Sequence, residues 1–299
     1  MFTKFLQIAI LVFTTNAFAV DLTKSFQGFV NIGSKSLYVD YLAPVAGRPT
    51  VVFLNGLTYS TRDWDKMTVA MKKRGLGVVR YDMDGMGQTL LKYGTKMEPY
   101  NYLDQVQDLA NLLRAMTMAP PYNLIGLSYG GGIAAAFSFK FPRVIGKLIL
   151  MAPYTEVVKQ QDDWIKSQIW ATRTQFPLNP YSDDQLYDYF LKQLVYTTFP
   201  SAEPSVLENP LKLEAVYRLT QGIRHFRALD EARLFPPHSV YLLVAENDQY
   251  IKREVLEAFW NGIPASARVA QILIKNSEHK IPEAQPEVAA ATVDQIVSQ

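Results

Sequence analysis

Short apolar runs rich in β-branched residues recur along the chain, separated by segments of mixed polarity. The run from Val51 to Leu54 shows their character, because it does not alternate polar with apolar positions. Strands that are covered on both faces have this pattern, as in a parallel sheet flanked by helices. The predicted strands are Thr50–Leu54, Gly77–Tyr81, Tyr122–Leu127, Lys147–Ala152, Ser239–Ala245 and Val269–Ile274.

Helical patterns lie between these runs. Apolar residues recur at spacings of three and four from Tyr102 to Met116, and Trp64, Met67 and Met71 predict a shorter helix. A last helix is predicted to begin near Pro286. Strands that alternate with helices indicate an α/β class and a mostly parallel, doubly wound sheet. Ahead of them, alternation across residues 29–40 around a Gly-Ser-Lys turn predicts an antiparallel hairpin at one edge.

One interval between predicted strands is too long for a simple strand–helix–strand crossover. Residues 153–238 separate two predicted strands, whereas a crossover needs only about a dozen residues. We expect an inserted helical lid there, with helices near 162–175 and 183–198 followed by turns at prolines, and a core formed by 20–152 and 239–299. Most of the lid's aromatic residues are expected to pack it onto the core, and the rest to line an apolar pocket. They include Trp164, Trp170, Phe176, Tyr187, Phe190 and Phe199.

Composition narrows the classes of function. The 299 residues are 48% hydrophobic and 19% charged, and 30 Lys and Arg against 28 Asp and Glu give a net charge of +2. No basic stripe stands out, which argues against nucleic acid as a partner and favours a small-molecule substrate. Cysteine is absent, so neither a disulfide framework nor Cys-ligated zinc is expected. No cofactor or metal site is apparent in the sequence.

The first nineteen residues resemble a secretory signal peptide. Lys4 is followed by an apolar stretch from Phe5 to Phe13, and the segment 17–19 offers small residues at both cleavage positions. The apolar stretch is shorter than the roughly 20 residues that span a bilayer. We therefore expect cleavage after Ala19 and an exported chain, periplasmic or secreted, without a stable membrane anchor.

The chemistry centres on the segment 126–130, which has the pattern Gly-x-Ser-x-Gly with Ser128 in the middle. In this pattern the serine occupies a strained strand-to-helix turn, and the glycines avoid collisions with neighbouring backbone. The predicted strand before it and the small residues after it suit that turn. The alternative is a glycine-rich turn with an idle serine.

A serine nucleophile needs a base and an acid. Of the three histidines, His225 lies in the insertion and His238 precedes a strand, whereas His279 follows the last strand at its carboxyl end, which favours His279 as the base. Two carboxylates follow the strand 239–245. Asp248 is the preferred acid and Glu246 the alternative.

These motifs resemble those of the α/β-hydrolase superfamily over nearly the whole chain. The order Ser128, Asp248, His279 is the order expected for that fold. The segment 54–57 resembles the family's His-Gly loop, and the segment 82–89 its Asp-x-Arg-Gly-x-Gly-x-Ser loop. Both loops could also be ordinary glycine-containing turns.

The resemblance implies that Leu57 and Tyr129 donate backbone N–H groups to the oxyanion of an acyl-transfer reaction. Three positions depart from the family's pattern: Asn55 replaces a His, Asp84 an Arg, and Glu278 a residue that is often Gly. The first two are expected to change how the loops are held, and Glu278 to be solvated.

The expected reaction is hydrolysis of carboxylic esters of uncharged or apolar substrates by a serine acyl-enzyme mechanism. A prolyl-type exopeptidase would use the same fold and would need an acidic lid group, for which Glu203, Glu208 and Glu214 are available. A carbon–carbon bond hydrolase is a further alternative. The alternative outside enzymology is a binding protein that keeps the fold and has lost activity.

Overall fold

A computed structural model describes residues 20–299. The predicted signal peptide lies outside the described residues. Eight strands form one sheet in the order β1-β2-β4-β3-β5-β6-β7-β8. The strands are β1 (Phe26–Asn31), β2 (Ser36–Leu42), β3 (Thr50–Leu54), β4 (Gly77–Asp82), β5 (Tyr122–Leu127), β6 (Ile145–Met151), β7 (Val240–Ala245) and β8 (Arg268–Ile274).

The topology confirms the predicted fold. Strands β3 to β8 run parallel to one another, and β1 and β2 form an antiparallel hairpin at the edge, with β2 pairing antiparallel to β4. Strand β7 is buried along its whole length, as its unbroken apolar pattern predicts. Along β2 of the hairpin, buried residues alternate with half-buried ones, because only one face of the hairpin meets the core.

Helices cover both faces of this sheet. Those described are α1 (Asp65–Lys73), α2 (Gly87–Tyr93), α3 (Tyr102–Ala115), α4 (Tyr129–Lys140), α5 (Lys159–Gln175), α6 (Asp183–Ala202), α7 (Pro210–Ile223), α8 (Arg253–Gly262), α9 (Ile281–Ala284) and α10 (Pro286–Val297). Helices α1 and α10 supply apolar side chains to the core on one face, and α3, α4 and α8 do so on the other. None of the helices in residues 20–299 is both long and apolar enough to cross a membrane.

Helices α5, α6 and α7 lie between β6 and β7 and share a small apolar cluster of their own around Ile165, Leu191 and Val216. The expectation of turns alone after α6 is wrong, because α7 begins at Pro210. Proline is tolerated at the first helical position, and the Asn209 side chain accepts a hydrogen bond from the Leu211 N–H there.

Of the six aromatic residues named in the sequence analysis, Tyr187, Phe190 and Phe199 pack against this apolar cluster, whereas the other three are exposed. Trp164, Trp170 and Phe176 are 40%, 71% and 62% exposed. Trp164 and Trp170 belong to helix α5, in which Ile165 is the buried residue, and Phe176 directly follows this helix. Of the six aromatic residues named above, Phe199 lines the cavity described below.

Candidate active site

Ser128 occupies a sharp turn between β5 and α4. Its backbone has φ +50° and ψ −116°, a conformation that side chains other than glycine rarely adopt. The surroundings hold it there, since the Ser128 N–H donates to Met151 O at 3.0 Å and the Tyr154 N–H donates to Ser128 O at 2.8 Å. Local strain of this kind persists only where neighbouring structure enforces it, and it is common at functional sites.

The two glycines beside Ser128 are required by close backbone approach. A Cβ atom on Gly126 would lie 2.4 Å from Gly130 O, and one on Gly130 would lie 2.2 Å from Leu54 O. Neither contact can be relieved by turning a side chain, because both involve backbone. The tight turn also brings strand β3 and the start of α4 together, and α4 then points its N-terminus at the serine.

His279 and Asp248 are joined by a hydrogen bond of 2.8 Å between Nδ1 and Oδ2. Both side chains are nearly buried, at 8% and 5% exposure. The other carboxylate oxygen of Asp248 accepts the N–H groups of Tyr250 at 2.8 Å and Ile251 at 2.9 Å. These bonds fix the carboxylate, which in turn orients the imidazole.

The other candidates for base and acid lie elsewhere. Glu246 is exposed and accepts the Asn276 N–H at 2.8 Å. His238 is exposed at the amino end of β7, and His225 is exposed beside Arg224. Of the two carboxylates left open by the sequence, Asp248 is the one that contacts His279.

Leu57, in the loop after β3, and Tyr129, at the start of α4, line the same cavity as Ser128. Tyr129 is the first residue of α4, where a backbone N–H has no intrahelical partner. Leu57 follows β3, whose last residue is in register with Gly126 of the neighbouring strand. Neither the Leu57 N–H nor the Tyr129 N–H donates to another group within residues 20–299, so both are available to an external acceptor.

A cavity of about 130 Å³ opens on these residues, and Ser128, His279, Leu57 and Tyr129 all line it. No hydrogen bond joins Ser128 Oγ to His279 within the described chain, as is common before substrate is bound. The rest of the wall is mostly apolar and comes from both the sheet loops and the helices between β6 and β7. These residues include Leu127, Tyr154, Leu191, Leu194, Val195, Phe199, Ile223 and Ile251.

The two unusual loop residues have structural partners. Asn55 is fully buried, donates to Tyr81 O at 3.1 Å and accepts the Trp64 indole N–H at 2.8 Å. Asp84 is buried as well and is ion-paired with Lys35 at 2.6 Å. These contacts hold the loops on either side of the site. Glu278 is exposed.

Three further polar residues of the cavity lie next to the candidate pair. Glu203, named above as a possible acidic group, accepts hydrogen bonds from Lys280 Nζ at 2.7 Å and from the Tyr250 hydroxyl at 3.1 Å. Sequence reasoning missed Lys280 and Tyr250, although they lie one and two residues from His279 and Asp248. Burial, followed by the Glu203 carboxylate, raises the pKa of Tyr250 to about 12, so it stays a neutral donor.

The other two acidic groups considered for an exopeptidase do not line this cavity. Glu208 is exposed. Glu214 is held by Arg218 at 2.8 Å and Lys192 at 3.1 Å. Within residues 20–299, no group of three His, Asp or Glu side chains is arranged to hold a metal ion.

Comparison with known proteins agrees with this architecture. The chain is 21% identical over 207 residues to a serine hydrolase-like protein of Dictyostelium discoideum, covering 67% of this chain and 55% of that protein. It is 32% identical over 108 residues to a 2-hydroxy-6-oxo-2,4-heptadienoate hydrolase of Pseudomonas putida, covering 36% of this chain and 37% of that protein. The chain thus spans about half or less of the length of these curated relatives.

Solved structures show the same fold. An α/β-hydrolase from a Medee basin deep-sea metagenome library superposes with a TM-score of 0.66 at 20% identity, covering 91% of this chain and 98% of that one. The family model described as serine aminopeptidase, S33, matches residues 46–284, which is most of the chain. The protein is therefore a member of the S33 family of α/β-hydrolases.

Proposed function

We propose that this S33 hydrolase cleaves carboxylic esters through an acyl-enzyme on Ser128. The observation that carries the proposal is the buried hydrogen bond of 2.8 Å between His279 and Asp248 in the cavity that Ser128 lines. One cavity is lined by a serine in a strained turn, a histidine fixed by a carboxylate and two residues whose N–H groups have no partner in the described chain. These are the parts that acyl transfer requires.

In the proposed reaction, His279 Nε2 takes the proton of Ser128 as the oxygen attacks the ester carbonyl. Asp248 holds the Nδ1–H tautomer and stabilises the imidazolium that forms. The oxyanion accepts hydrogen bonds from the N–H groups of Leu57 and Tyr129, each worth roughly 3–4 kcal/mol in such sites. His279 then returns the proton to the leaving alkoxide, and water releases the acyl group by the same steps.

The cavity supports an uncharged or apolar ester as substrate. Most of its lining is aliphatic or aromatic, and burial of matching apolar surface stabilises a ligand by about 25 cal/mol per Å². The alkoxide of an ester is also a better leaving group than the amine of an amide, so its departure needs less help from His279 as the general acid.

An exopeptidase is the second candidate, because a carboxylate does line the cavity. Glu203 would have to hold the substrate's amino terminus, but Lys280 already occupies one of its oxygens. The 2-hydroxy-6-oxo-2,4-heptadienoate in the name of the Pseudomonas putida relative is a further compound to include in assays, and it also tests the alternative of a carbon–carbon bond hydrolase.

A panel of p-nitrophenyl esters of graded acyl length, assayed beside aminoacyl-naphthylamides, tests the proposal. We expect turnover of neutral esters with kcat/KM at least about a hundredfold above the naphthylamides. Faster cleavage of the naphthylamides would assign the protein to the peptidases instead.

We also propose that the chain is exported, which rests on the sequence pattern of residues 1–19. N-terminal sequencing of the protein recovered outside the cytoplasm should begin at Val20. Recovery of the intact chain from the cytoplasm alone would contradict export.

A further inference from the structure

The substrate cavity contains a single pair of opposite charges. Among the described residues that line it, Glu203 and Lys280 are the only Asp, Glu, Lys or Arg side chains. They lie 2.7 Å apart, with the Glu203 and Lys280 side chains 11% and 29% exposed. A pair this close and this buried presents almost no net charge to a bound molecule.

The two partners come from different parts of the chain. Glu203 directly follows helix α6, in the segment between β6 and β7, and Lys280 follows His279 in the loop after β8. Within residues 20–299, this is the one ion pair that joins residues 153–238 to the rest of the chain. The neutrality of the cavity therefore depends on one contact between the inserted helices and the loop that carries His279.

Glu203 and Lys280 each have few other hydrogen-bonding or charged partners nearby. The Tyr250 hydroxyl donates to Glu203 at 3.1 Å, and the Tyr250 ring contacts His279 edge-on with 5.1 Å between centroids. Glu283 lies 4.0 Å from Lys280, outside the cavity, and accepts the Tyr59 hydroxyl at 2.6 Å. Removal of Glu203 would thus leave the Lys280 ammonium without a close acid on the cavity side.

We propose that the Glu203–Lys280 pair is a specificity element that selects uncharged acyl groups by masking both charges. The inference rests on the proposed ester hydrolase function. A substrate carboxylate would have to displace Glu203 from Lys280, and a substrate ammonium would have to displace Lys280 from Glu203. In the first case the buried Glu203 carboxylate loses its lysine, and in the second the half-buried Lys280 ammonium loses its close acid on the cavity side; both losses disfavour binding.

Three p-nitrophenyl esters with matched six-carbon acyl chains test the proposal: hexanoate, hemiadipate and 6-aminohexanoate. In the wild-type protein, kcat/KM should be highest for the neutral hexanoate. Glu203→Gln keeps the shape of the side chain and exposes the lysine charge, so the hemiadipate-to-hexanoate ratio should rise at least about tenfold. Lys280→Met exposes the carboxylate, so the 6-aminohexanoate ratio should rise by a similar factor.

Matched controls separate a local effect from a change in net charge. Glu208→Gln and Lys275→Met alter the same charges at exposed positions away from the cavity and should leave all ratios within about twofold. The double variant Glu203→Gln/Lys280→Met has no charge at the site and should return to the wild-type preference. It also keeps the test available if either single variant fails to fold.

Unchanged ratios in both single variants, with hexanoate still hydrolysed, would overturn the inference and leave the proposed function standing. Wild-type protein that neither hydrolyses hexanoate nor reacts with a fluorophosphonate would overturn the proposed function itself. A rise in the hemiadipate ratio in Glu208→Gln equal to that in Glu203→Gln would also contradict the inference, because it would show a long-range charge effect.

Discussion

Replacement of Asp248 by Asn separates the chemical role of this carboxylate from its structural one. Asp248 accepts three hydrogen bonds, two from the N–H groups of Tyr250 and Ile251 and one from His279. Asparagine can keep the two backbone bonds through its single oxygen. Its amide nitrogen then faces His279 Nδ1, which must act as an acceptor, and the proton moves to Nε2.

An imidazole protonated at Nε2 cannot take the proton of Ser128. The side chains of His279 and Asp248 are only 8% and 5% exposed, so water can do little to replace the lost proton acceptor. We expect kcat to fall by about 10³–10⁴-fold, which corresponds to roughly 4–5.5 kcal/mol of transition-state stabilisation. The free energy of unfolding should change by only about 1–2 kcal/mol, because one charge-assisted hydrogen bond becomes a neutral one.

The assay is steady-state hydrolysis of a p-nitrophenyl ester, with urea denaturation of the same samples. Glu246→Gln is the matched control, since Glu246 is exposed and contacts the Asn276 backbone instead of His279. It should retain kcat within about twofold. Nearly normal activity in Asp248→Asn, or a larger loss in Glu246→Gln, would refute the assignment of the acid.

Three further predictions concern the turn, a buried carboxyl and the base. Gly130→Ala should lower the free energy of unfolding by about 3 kcal/mol or more in urea denaturation, because the new Cβ would lie 2.2 Å from Leu54 O; a change below about 1 kcal/mol would show that the turn can relax. Burial raises the pKa of Asp82 from its ordinary 3.8 to about 6, so its contribution to stability is complete below about pH 4 and is lost as the pH rises through 6. Relative to Asp82→Asn, the wild-type protein should therefore lose about 3 kcal/mol of unfolding free energy between pH 4 and 7, and a difference that is independent of pH would contradict this. His279→Ala should lower kcat by about 10³-fold or more while His238→Ala leaves it unchanged, and the reverse result would exchange their roles.

The strands were predictable from the sequence because a parallel sheet buries both faces. The predicted run Tyr122–Leu127 coincides with β5, and the run Lys147–Ala152 is displaced from β6 by two residues or fewer at each end. Helix α7 was missed for a local reason. Pro210 resembles turn punctuation in the sequence, and only the preceding Asn209 cap and the contacts of Val216 and Leu219 show that it begins a helix.

The residues of the candidate site that follow the ends of strands were predictable from the sequence. Ser128, Asp248 and His279 come one, three and five residues after the ends of parallel strands, whose carboxyl ends meet at one edge of the sheet. The contact between Glu203 and Lys280 could not be foreseen in this way. It joins residues 77 positions apart and depends on how α6 ends against the core, which no strand pattern determines.

The most direct test of the proposed mechanism is labelling of the protein with a fluorophosphonate probe, which reacts with an activated serine. We expect stoichiometric labelling of the wild-type protein, with the adduct located on Ser128 by peptide mass spectrometry, and no labelling of Ser128→Ala. Labelling of Ser128→Ala at the wild-type rate would contradict the assignment of the nucleophile, and with it the proposed mechanism.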